Sequence, residues 1–242
     1  MARDEAMLNA VSRGDSPPTL RVYAWTPATI SLGYFQSHEE FDQLDGPAAE
    51  LAVVRRTTGG GAILHDQEIT YSLALPLAHA WLARGPNALY ELVHCAIINA
   101  VGNAARLVGC DGNGGLSCDA AGQRGPFFCF ARRHALDVIL PDAAHETGWS
   151  KLAGSAQRRK TRAVLQHGSL ILSSRFSQHP CATWDSVGGP TDWSAAAARF
   201  VVAIRDEAKC TFDSGDWSSS ELRDAAALQA KYARPDWPQL AR

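Results

Sequence analysis

A cysteine and a lysine are the two side chains whose types and neighbours best suit nucleophilic chemistry. Cys129 stands in the aromatic run FFCFA of residues 127–131, and Lys151 opens a run of small residues. A thiol among phenylalanines is by default a buried, inert group with a raised pKa, so a nucleophilic Cys129 needs a cation that favours its thiolate. Lys151 is the candidate cation. If a hairpin turns near residue 144, the segment 124–130 must fold back over the sheet, because seven extended residues would otherwise separate the pair by roughly 23 Å.

The residues after Lys151 predict a slender strand against which an elongated substrate could lie. They read KLAGSAQRR over 151–159. A lysine that begins an otherwise apolar strand is expected to be partly desolvated, which would lower its pKa and suit it to acyl chemistry. The alternative is an ordinary surface lysine at a strand edge. The basic run 158–162 predicts a hairpin tip that is either simply solvated or docks an acidic partner.

A glycine loop is the third stretch whose residues could take part in binding or catalysis. It reads RRTTGGGAILH over residues 55–65, and its three consecutive glycines would let the backbone approach a ligand closely. The arginines Arg55 and Arg56 could meet an anion there. The alternative is a flexible turn flanked by solvated charges. The spacing matches neither the phosphate-binding pattern GxxxxGK[ST] nor the dinucleotide pattern GxGxxG.

These motifs lie in a pattern of helices and strands typical of the α+β class. Apolar residues at helical spacing predict helices over 2–12, 87–107 and 194–208, and Ser218 with Glu221 predicts a capping box that opens another helix. Strands are predicted for 20–25, 29–34, 51–56, 68–75, 134–140, 151–156 and 164–172, with a hairpin loop over 141–148. Helices around a mainly antiparallel sheet follow. We expect one catalytic domain over residues 1–242, with a helical C-terminal segment from roughly residue 190 packed on it.

Composition and charge exclude several classes of function. Of the 242 residues, 46% are hydrophobic and 20% are charged, and the net charge is −2, which argues against nucleic acid or a membrane as the main partner. No apolar stretch approaches the ~20 residues of a spanning helix, and no secretory signal is expected. The cysteines show no CxxC spacing, which predicts reduced thiols, a cytoplasmic location and no metal site. They are Cys95, Cys110, Cys118, Cys129, Cys181 and Cys210.

Taken in order, the motifs resemble the biotin/lipoate protein ligase superfamily, and within it the lipoate branch. They cover most of the chain, and an ordered set of this kind is far more specific than a lone glycine loop. The stretches that carry the resemblance are DEAML (4–8), RVYAW (21–25), SLGYFQ (31–36), RRTTGGGAILH (55–65), YS (71–72), KLAGSAQ (151–157) and QHGS (166–169).

The resemblance implies a catalytic domain in which the glycine loop and the strand after Lys151 line a narrow acyl tunnel. Lys151 would lie at the carbonyl end of that tunnel. For His65 and His167, a role in the core or in a turn is the favoured alternative to substrate contact. The implied acyl-binding residues are Arg56, Thr58, Gly59, Gly60, Gly61, Ala62, His65, Gly154, Ser155, Ala156, His167 and Gly168.

The placement of Cys129-Phe130 before Asp137-Val138 and Lys151 is similar to the cysteine-dependent octanoyltransferases of the LipM type. That likeness implies Cys129 as the nucleophile and Lys151 as its activator. Octanoate would pass from acyl carrier protein to Cys129 and then to the lysine of a lipoyl domain or of the glycine-cleavage carrier protein. Backbone N–H groups near the glycine loop or Gly154 are candidates for the oxyanion site. No cofactor is expected, because a thioester donor already carries the activation energy.

Two features depart from that pattern, and three other functions remain open. The loop 142–149 is longer than expected, and Ser150 stands where relatives usually have arginine. An ATP-dependent lipoate ligase, which alone would need ATP and Mg²⁺, would use Lys151 without Cys129. An amidotransferase would move lipoyl or octanoyl groups between carrier proteins. The minor alternative is a non-catalytic acyl-binding protein, and a monomer is the expected state.

Overall fold

The structure is a computed structural model that describes residues 1–110, 125–234 and 236–238. Cys118 lies outside the described residues. The predicted α+β class is confirmed, since helices surround a large antiparallel sheet. The helices are α1 (Ala2–Arg13), α2 (Glu39–Asp42), α3 (Ala88–Val101), α4 (Trp193–Ala208) and α5 (Ser219–Tyr232). The strands are β1 (Thr19–Tyr23), β2 (Thr29–Leu32), β3 (Ala52–Arg55), β4 (Ile63–His65), β5 (Glu68–Pro76), β6 (Arg106–Leu107), β7 (Val138–Pro141), β8 (Trp149–Arg159) and β9 (Ala163–Ile171).

Within the described ranges, the strands form two sheets. Six of them make an antiparallel sheet in the order β1-β5-β9-β8-β7-β6. The other three make a small sheet in the order β3-β2-β4, in which β2 pairs with β3 in parallel and with β4 antiparallel. The small sheet, which the sequence did not predict, carries the glycine loop between β3 and β4.

Side-chain alternation along β5 divides the core between the two faces of the large sheet. Ile69 and Tyr71 belong to the cluster that includes the buried sides of α3 and α4. Ala74, of the opposite parity, packs with Met7 and Leu8 of α1. Because successive strand residues point to opposite faces, α3 and α4 cover one face while α1 covers the other. Helix α5 packs on α1. Among the described residues, no helix is long and apolar enough to cross a membrane.

Two predicted elements end or begin at different residues than expected. Helix α3 stops at Val101 and not at residue 107, because Gly102 adopts a φ of +101° and the chain then enters β6. Strand β7 begins at Val138 and not at His134. Residues 134–137 form a turn instead, in which the His134 amide donates to Asp137 Oδ2 (2.8 Å).

Candidate active site

Cys129 reaches the sheet because its segment pairs with the glycine loop. The Ala62 amide donates to the Phe127 carbonyl (2.8 Å), and the Cys129 amide donates to the Ala62 carbonyl (2.7 Å). Ala62 and Phe128 form an isolated parallel bridge, after which residues Cys129–Ala131 make a single 3-10 turn. Residues 125–130, the described part of the segment that was expected to fold back, therefore do not extend the hairpin of β7 and β8. They pair with the glycine loop beside the small sheet instead.

The foldback places the Cys129 thiol beside Lys151. Lys151 lies on β8 opposite Ile139, and its ammonium nitrogen is 3.7 Å from Cys129 Sγ. The same nitrogen lies 2.8 Å from Asp137 Oδ2 and 5.3 Å from the ring centroid of Phe130. Lys151 is only 4% exposed and Asp137 is equally buried. Buried ammonium, buried carboxylate and half-buried thiol thus form one cluster, in which the charged lysine has an opposite charge on one side and the thiol on another.

The prediction that desolvation lowers the pKa of Lys151 is wrong. Burial does act in that direction, but the negative charges of Cys129 and Asp137 outweigh it, so the pKa of Lys151 is raised above its usual value. Lys151 is therefore an ammonium at neutral pH. An ammonium held at this position can give up a proton to a departing group.

A cavity of about 440 Å³ opens in front of this cluster, on the face of the large sheet that α1 covers. The Thr70 side chain points to the opposite face of β5 from Tyr71. It contributes to the cavity wall, as do Cys129 and Lys151. The remaining predicted site residues that line it are Arg56, Gly59, Gly60, His65, Gly154, Ser155, Ala156, His167 and Gly168.

A family model for the lipoyl protein ligase A/B catalytic domain matches residues 1–212. The chain belongs to this family. An octanoyltransferase LipM of Kyrpidia tusciae is 29% identical over 98% of this chain and 92% of its own length. The octanoyltransferase LipM of Moorella thermoacetica is 32% identical with the same coverage. The predicted membership of the lipoate branch and the predicted acyltransferase class are confirmed by these relatives.

A solved structure of the same family shows the same fold. The crystal structure of lipoate-protein ligase A bound with ATP aligns with a TM-score of 0.75 at 18% identity, covering 100% of this chain and 93% of that one. At this identity the likeness concerns the fold alone. The predicted resemblance of the sheet and its helices to a ligase catalytic domain is thereby confirmed.

Three predicted residues of the family's glycine loop lie behind the cavity wall. The Thr58 hydroxyl is hydrogen-bonded to His167 Nε2 at 2.6 Å and is buried. Ala62 pairs with the segment of Cys129, as described above. A Cβ placed on Gly61 would lie 3.0 Å from the Cys129 amide and 2.9 Å from the Phe127 carbonyl oxygen. These residues position the nucleophile's segment and the wall, and the structure does not place them against the cavity.

The two arginines of the loop bind protein carbonyls, and Arg56 also borders the cavity. The Arg56 guanidinium donates to the carbonyls of Ser31 (2.9 Å), Gly59 (2.8 Å) and Gly61 (2.7 Å), which fixes the course of the loop. Burial lowers the pKa of Arg56 to about 10, so it remains charged at neutral pH. Arg55 donates to the carbonyls at residues 33 and 36. The sequence could not reveal the acceptors at residues 31, 33 and 36, because they lie on another segment.

Both predicted histidines are buried and held by side-chain partners, although each borders the cavity. His65 Nδ1 lies 2.6 Å from Glu68 Oε1, and its ring stacks on Trp25 with centroids 4.3 Å apart. His167 Nδ1 lies 3.8 Å from Asp4 Oδ2. Burial lowers the pKa of His167 despite that carboxylate, so the ring is neutral at pH 7. These contacts fit the structural roles that the sequence favoured for both.

Asp137 and a polar chain under β8 are features that the sequence did not assign to the site. A hairpin turning near residue 144 places Lys151 opposite residues 136–137, so the acidic partner was within reach of that argument. The hydrogen-bonded series of polar side chains beneath β8 could not be predicted in this way. Ser155 Oγ lies 2.6 Å from both the Tyr71 hydroxyl and His94 Nε2, which belong to distant elements. Ser155 itself borders the cavity, so this chain fixes one of its polar walls.

The loop between β7 and β8 is held by Ser150 and Asp142. The Ser150 hydroxyl donates to Asp142 Oδ2 at 2.5 Å, and Asp142 Oδ1 accepts from the Ala144 amide at 3.0 Å. Lys151 follows directly and keeps its place in the sheet. Among the described residues, no group of three or more His, Cys, Asp or Glu side chains is arranged to hold a metal ion.

Proposed function

We propose that the chain is an octanoyltransferase that works through a thioester on Cys129. The donor is the octanoyl thioester of acyl carrier protein, and the acceptor is the lysine of a lipoyl domain or of the glycine-cleavage carrier protein. The observation that carries the proposal is the 3.7 Å approach of Cys129 Sγ to the buried Lys151 ammonium at the wall of a cavity. The octanoyltransferase relatives, matched over nearly the whole chain, support the reaction type.

In the first half-reaction, Cys129 attacks the carbonyl carbon of the donor thioester. A bond forms between that carbon and Sγ, and the bond to the carrier's sulfur breaks. The departing thiolate takes a proton from the Lys151 ammonium, which becomes an amine. The raised pKa of Lys151 supports this assignment, because the proton is present on Lys151 before the reaction starts.

In the second half-reaction, the acceptor lysine replaces Cys129 on the acyl group. The Lys151 amine takes a proton from the acceptor's ammonium, and the resulting amine attacks the Cys129 thioester. An amide forms as the attacking nitrogen loses a second proton to solvent, and Cys129 leaves as a thiolate beside the restored Lys151 ammonium. No external proton donor, ATP or metal enters this cycle, because the energy of the donor thioester drives it.

The cavity supports an acyl chain as the group that is transferred. Its volume of about 440 Å³ lies within the ~300–1,000 Å³ typical of small-molecule sites. Gly154 makes room on the strand surface for the Lys151 side chain, since a Cβ at this position would lie 2.4 Å from Lys151 Cε. An aliphatic chain lying along this surface would present its carbonyl end to Cys129.

The test is intact-protein mass spectrometry after mixing the chain with octanoyl-acyl carrier protein without ATP. We expect an octanoyl adduct that hydroxylamine removes, and its absence from Cys129→Ser. The matched control is Cys210→Ser, which removes a thiol after α4 on the other side of the sheet and should leave the adduct intact.

Other results would replace the proposal with one of its alternatives. Transfer that occurs only with ATP and survives Cys129→Ser would indicate a ligase. An adduct formed only from a protein that carries the octanoyl or lipoyl group on a lysine would indicate an amidotransferase. Tight binding of octanoate without transfer to a lipoyl domain under any condition would indicate a non-catalytic acyl-binding protein.

A further inference from the structure

The hairpin that joins β8 to β9 ends in a cluster of exposed basic residues. We call Arg158, Arg159, Lys160 and Arg162 the basic tip; all four are exposed. Lys160 closes the hairpin, with its amide donating to the Ala163 carbonyl at 2.8 Å. The side chains thus project from a well-defined two-stranded end and not from a long loose loop.

The basic tip forms no salt bridge within the described ranges, although Lys160 acts on the Glu5 carboxylate from a longer distance. None of its four side chains lies within 4 Å of a carboxylate in the described ranges. Their hydrogen-bond partners are neutral: the Lys160 ammonium donates to Asn9, and Arg159 donates to Gln157 Oε1 at 3.4 Å. In a chain of net charge −2, four adjacent unpaired cations are a local exception. Such a patch attracts an acidic partner and accelerates its association.

An exposed aromatic side chain connects the basic tip to the mouth of the cavity. The Arg158 guanidinium lies 5.8 Å from the ring centroid of Tyr34, and that ring meets the ring of Phe35 edge-on at 4.9 Å. Phe35 is 69% exposed, the highest value among the large apolar residues of the described ranges. Its Cδ2 lies 3.9 Å from where a Cβ on Gly59 would be, and Gly59 lines the cavity. We call the basic tip together with Tyr34 and Phe35 the docking surface.

We propose that the docking surface binds the acyl donor, an acidic carrier protein that presents its acyl group as a thioester on a long flexible arm. This inference rests on the proposed function, whose two half-reactions require two different proteins to visit one cavity. Arginine and lysine side chains would pair with carboxylates of the carrier, and Phe35 would contact an apolar side chain between them. The arm would then cross the edge of the glycine loop to reach Cys129.

Reach decides between the donor and the acceptor. Gln157 lines the cavity, and Lys160 lies three strand residues beyond it, roughly 10 Å farther out. An acceptor lysine extends only about 6 Å from its backbone on its four-carbon stem, so the acceptor must sit at the mouth itself. A carrier whose acyl group rides on a long arm can bind at the tip and still deliver the thioester to Sγ.

The test compares two donors that share the thioester but differ in the attached protein. The acylation rate of Cys129 is measured with octanoyl-acyl carrier protein and with octanoyl-pantetheine. The variants are the double replacement Arg158→Glu with Arg159→Glu, and separately Phe35→Ser. The matched control is Arg199→Glu with Arg205→Glu, which makes the same change of charge on exposed positions of α4, on the opposite face of the sheet.

We expect the double variant to lose about tenfold or more in kcat/KM with the carrier-bound donor, because exposed charges at an interface act mainly on the association rate. Its rate with octanoyl-pantetheine should stay within about twofold of wild type. The Phe35 variant should show the same selective loss, and the α4 control should show none. Added salt should lower the kcat/KM of the wild type with the carrier-bound donor until it is close to that of the double variant.

The remaining outcomes overturn the inference in distinguishable ways. Equal rates of wild type and double variant with the carrier-bound donor would show that the carrier docks elsewhere. An unchanged acylation step with slower transfer from acyl-Cys129 to a lipoyl domain would assign the surface to the acceptor. If neither donor acylates wild-type Cys129, the proposed function fails; binding of the unacylated carrier to wild type and double variant, measured by titration, then decides the surface separately.

Discussion

At the scale of single residues, the cluster is governed by the balance of buried charge. An unpaired ammonium with the exposure of Lys151 would be costly, and its removal from water alone would favour the neutral amine. The charges of Cys129 and of Asp137, which lies 2.8 Å away, together reverse that preference, and Asp137 Oδ2 is itself fixed by the His134 amide. Asp137 is thus a positioning residue: it decides where the Lys151 nitrogen lies and which protonation state it carries.

Replacing Asp137 with asparagine should lower the pKa of Lys151, because burial would then act without the opposing carboxylate. The acylation rate depends on the Lys151 ammonium, so its loss at alkaline pH should begin at a lower pH than in the wild type. We expect a fall of about 10–100-fold in the rate near neutral pH. The measurement is a pH profile of Cys129 acylation with octanoyl-pantetheine.

A matched control separates this effect from general damage to the hairpin. Asp142→Asn removes a carboxylate from the adjoining loop, where it binds Ser150 and not Lys151. Its acylation profile should keep the alkaline limb of the wild type. An Asp137→Asn profile that is lower at all pH values but unshifted would mean that Asp137 supports the fold without setting the protonation of Lys151.

Gly154 is the residue that leaves room for the Lys151 side chain. A Cβ at this position would lie 2.4 Å from Lys151 Cε, 2.7 Å from its Nζ and 3.2 Å from Asp137 Oδ1. Gly154→Ala should therefore displace the ammonium from Cys129 and reduce acylation by about 100-fold or more, since a small misplacement of a catalytic group is costly. The measurement is the single-turnover acylation rate, with circular dichroism as the check of folding. Gly215→Ala, with no atom within 4 Å of the added Cβ, should be neutral.

At the scale of elements, local patterns predicted what local forces decide. Helix α4 begins and ends within a residue of the predicted range, and the predicted hairpin joins β7 to β8. Strand β8 starts two residues earlier than expected and runs on to Arg159. Periodicity reveals such elements because each must bury one side of itself. The end of α3 was predicted six residues too late, at 107, because the apolar pattern continues after Gly102 has ended the helix.

Contacts between distant segments could not be predicted in the same way. The parallel pairing of β2 with β3 and the bridge between Ala62 and Phe128 depend on partners far apart in the chain. Hydrophobic patterns do not specify such partners. The family resemblance nominated Cys129 and Lys151 together, but the residues alone could not bring them within contact. The sign of the Lys151 pKa shift was missed because Asp137, although within reach across the hairpin, was not assigned to the site, and its charge adds to that of Cys129.

The capping box of α5 offers a stability prediction at this scale. The Ser218 hydroxyl accepts from the Glu221 amide, and the Glu221 carboxylate accepts from the Ser218 amide at 2.9 Å, as the sequence predicted. Ser218→Ala should lower the free energy of unfolding by about 1 kcal/mol. Urea denaturation measures this, and Ser219→Ala is the control because it removes a neighbouring exposed hydroxyl outside the box. Equal losses in both variants would mean that the cap contributes nothing. Acylation of Cys129 should be unchanged in both.

At the scale of the whole molecule, several buried groups make the fold sensitive to acid. Burial would raise the pKa of Asp4, but interaction with His167 and nearby positive charge outweigh it and hold that pKa below its usual value. Burial lowers the pKa values of His94 and His167. Depressed carboxylate pKa values give stability that disappears as the pH falls below about 4. Depressed histidine pKa values give stability that is complete above about 6.5 and disappears below it.

His179 is a further histidine that makes the fold sensitive to acid. Its ring packs edge-on against Phe128 and Phe130, which flank Cys129, with centroids 5.3 and 4.9 Å away. Burial lowers its pKa to about 4, with Lys151 and His65 acting in the same direction and Glu68 against it. A group whose pKa falls from about 6.5 to about 4 on folding stabilises the fold by up to roughly 3 kcal/mol, at about 1.4 kcal/mol for each pH unit. That stabilisation is complete above pH 6.5 and is lost as the pH falls toward 4.

Replacing His179 with phenylalanine should therefore flatten the acid side of the stability curve. The variant keeps an aromatic ring between Phe128 and Phe130 but has no proton to accept, so the drop in unfolding free energy between pH 7 and pH 4.5 should be smaller than in the wild type by about 2 kcal/mol. Urea denaturation at several pH values measures the drop. The comparison variant is His38→Phe, at a partly buried histidine that precedes α2 and whose Nδ1 lies 3.1 Å from Asp42 Oδ1. Parallel curves for all three proteins would show that protonation of His179 has no part in acid unfolding. A flatter curve for the His179 variant alone would tie acid sensitivity to the packing that supports the segment of Cys129.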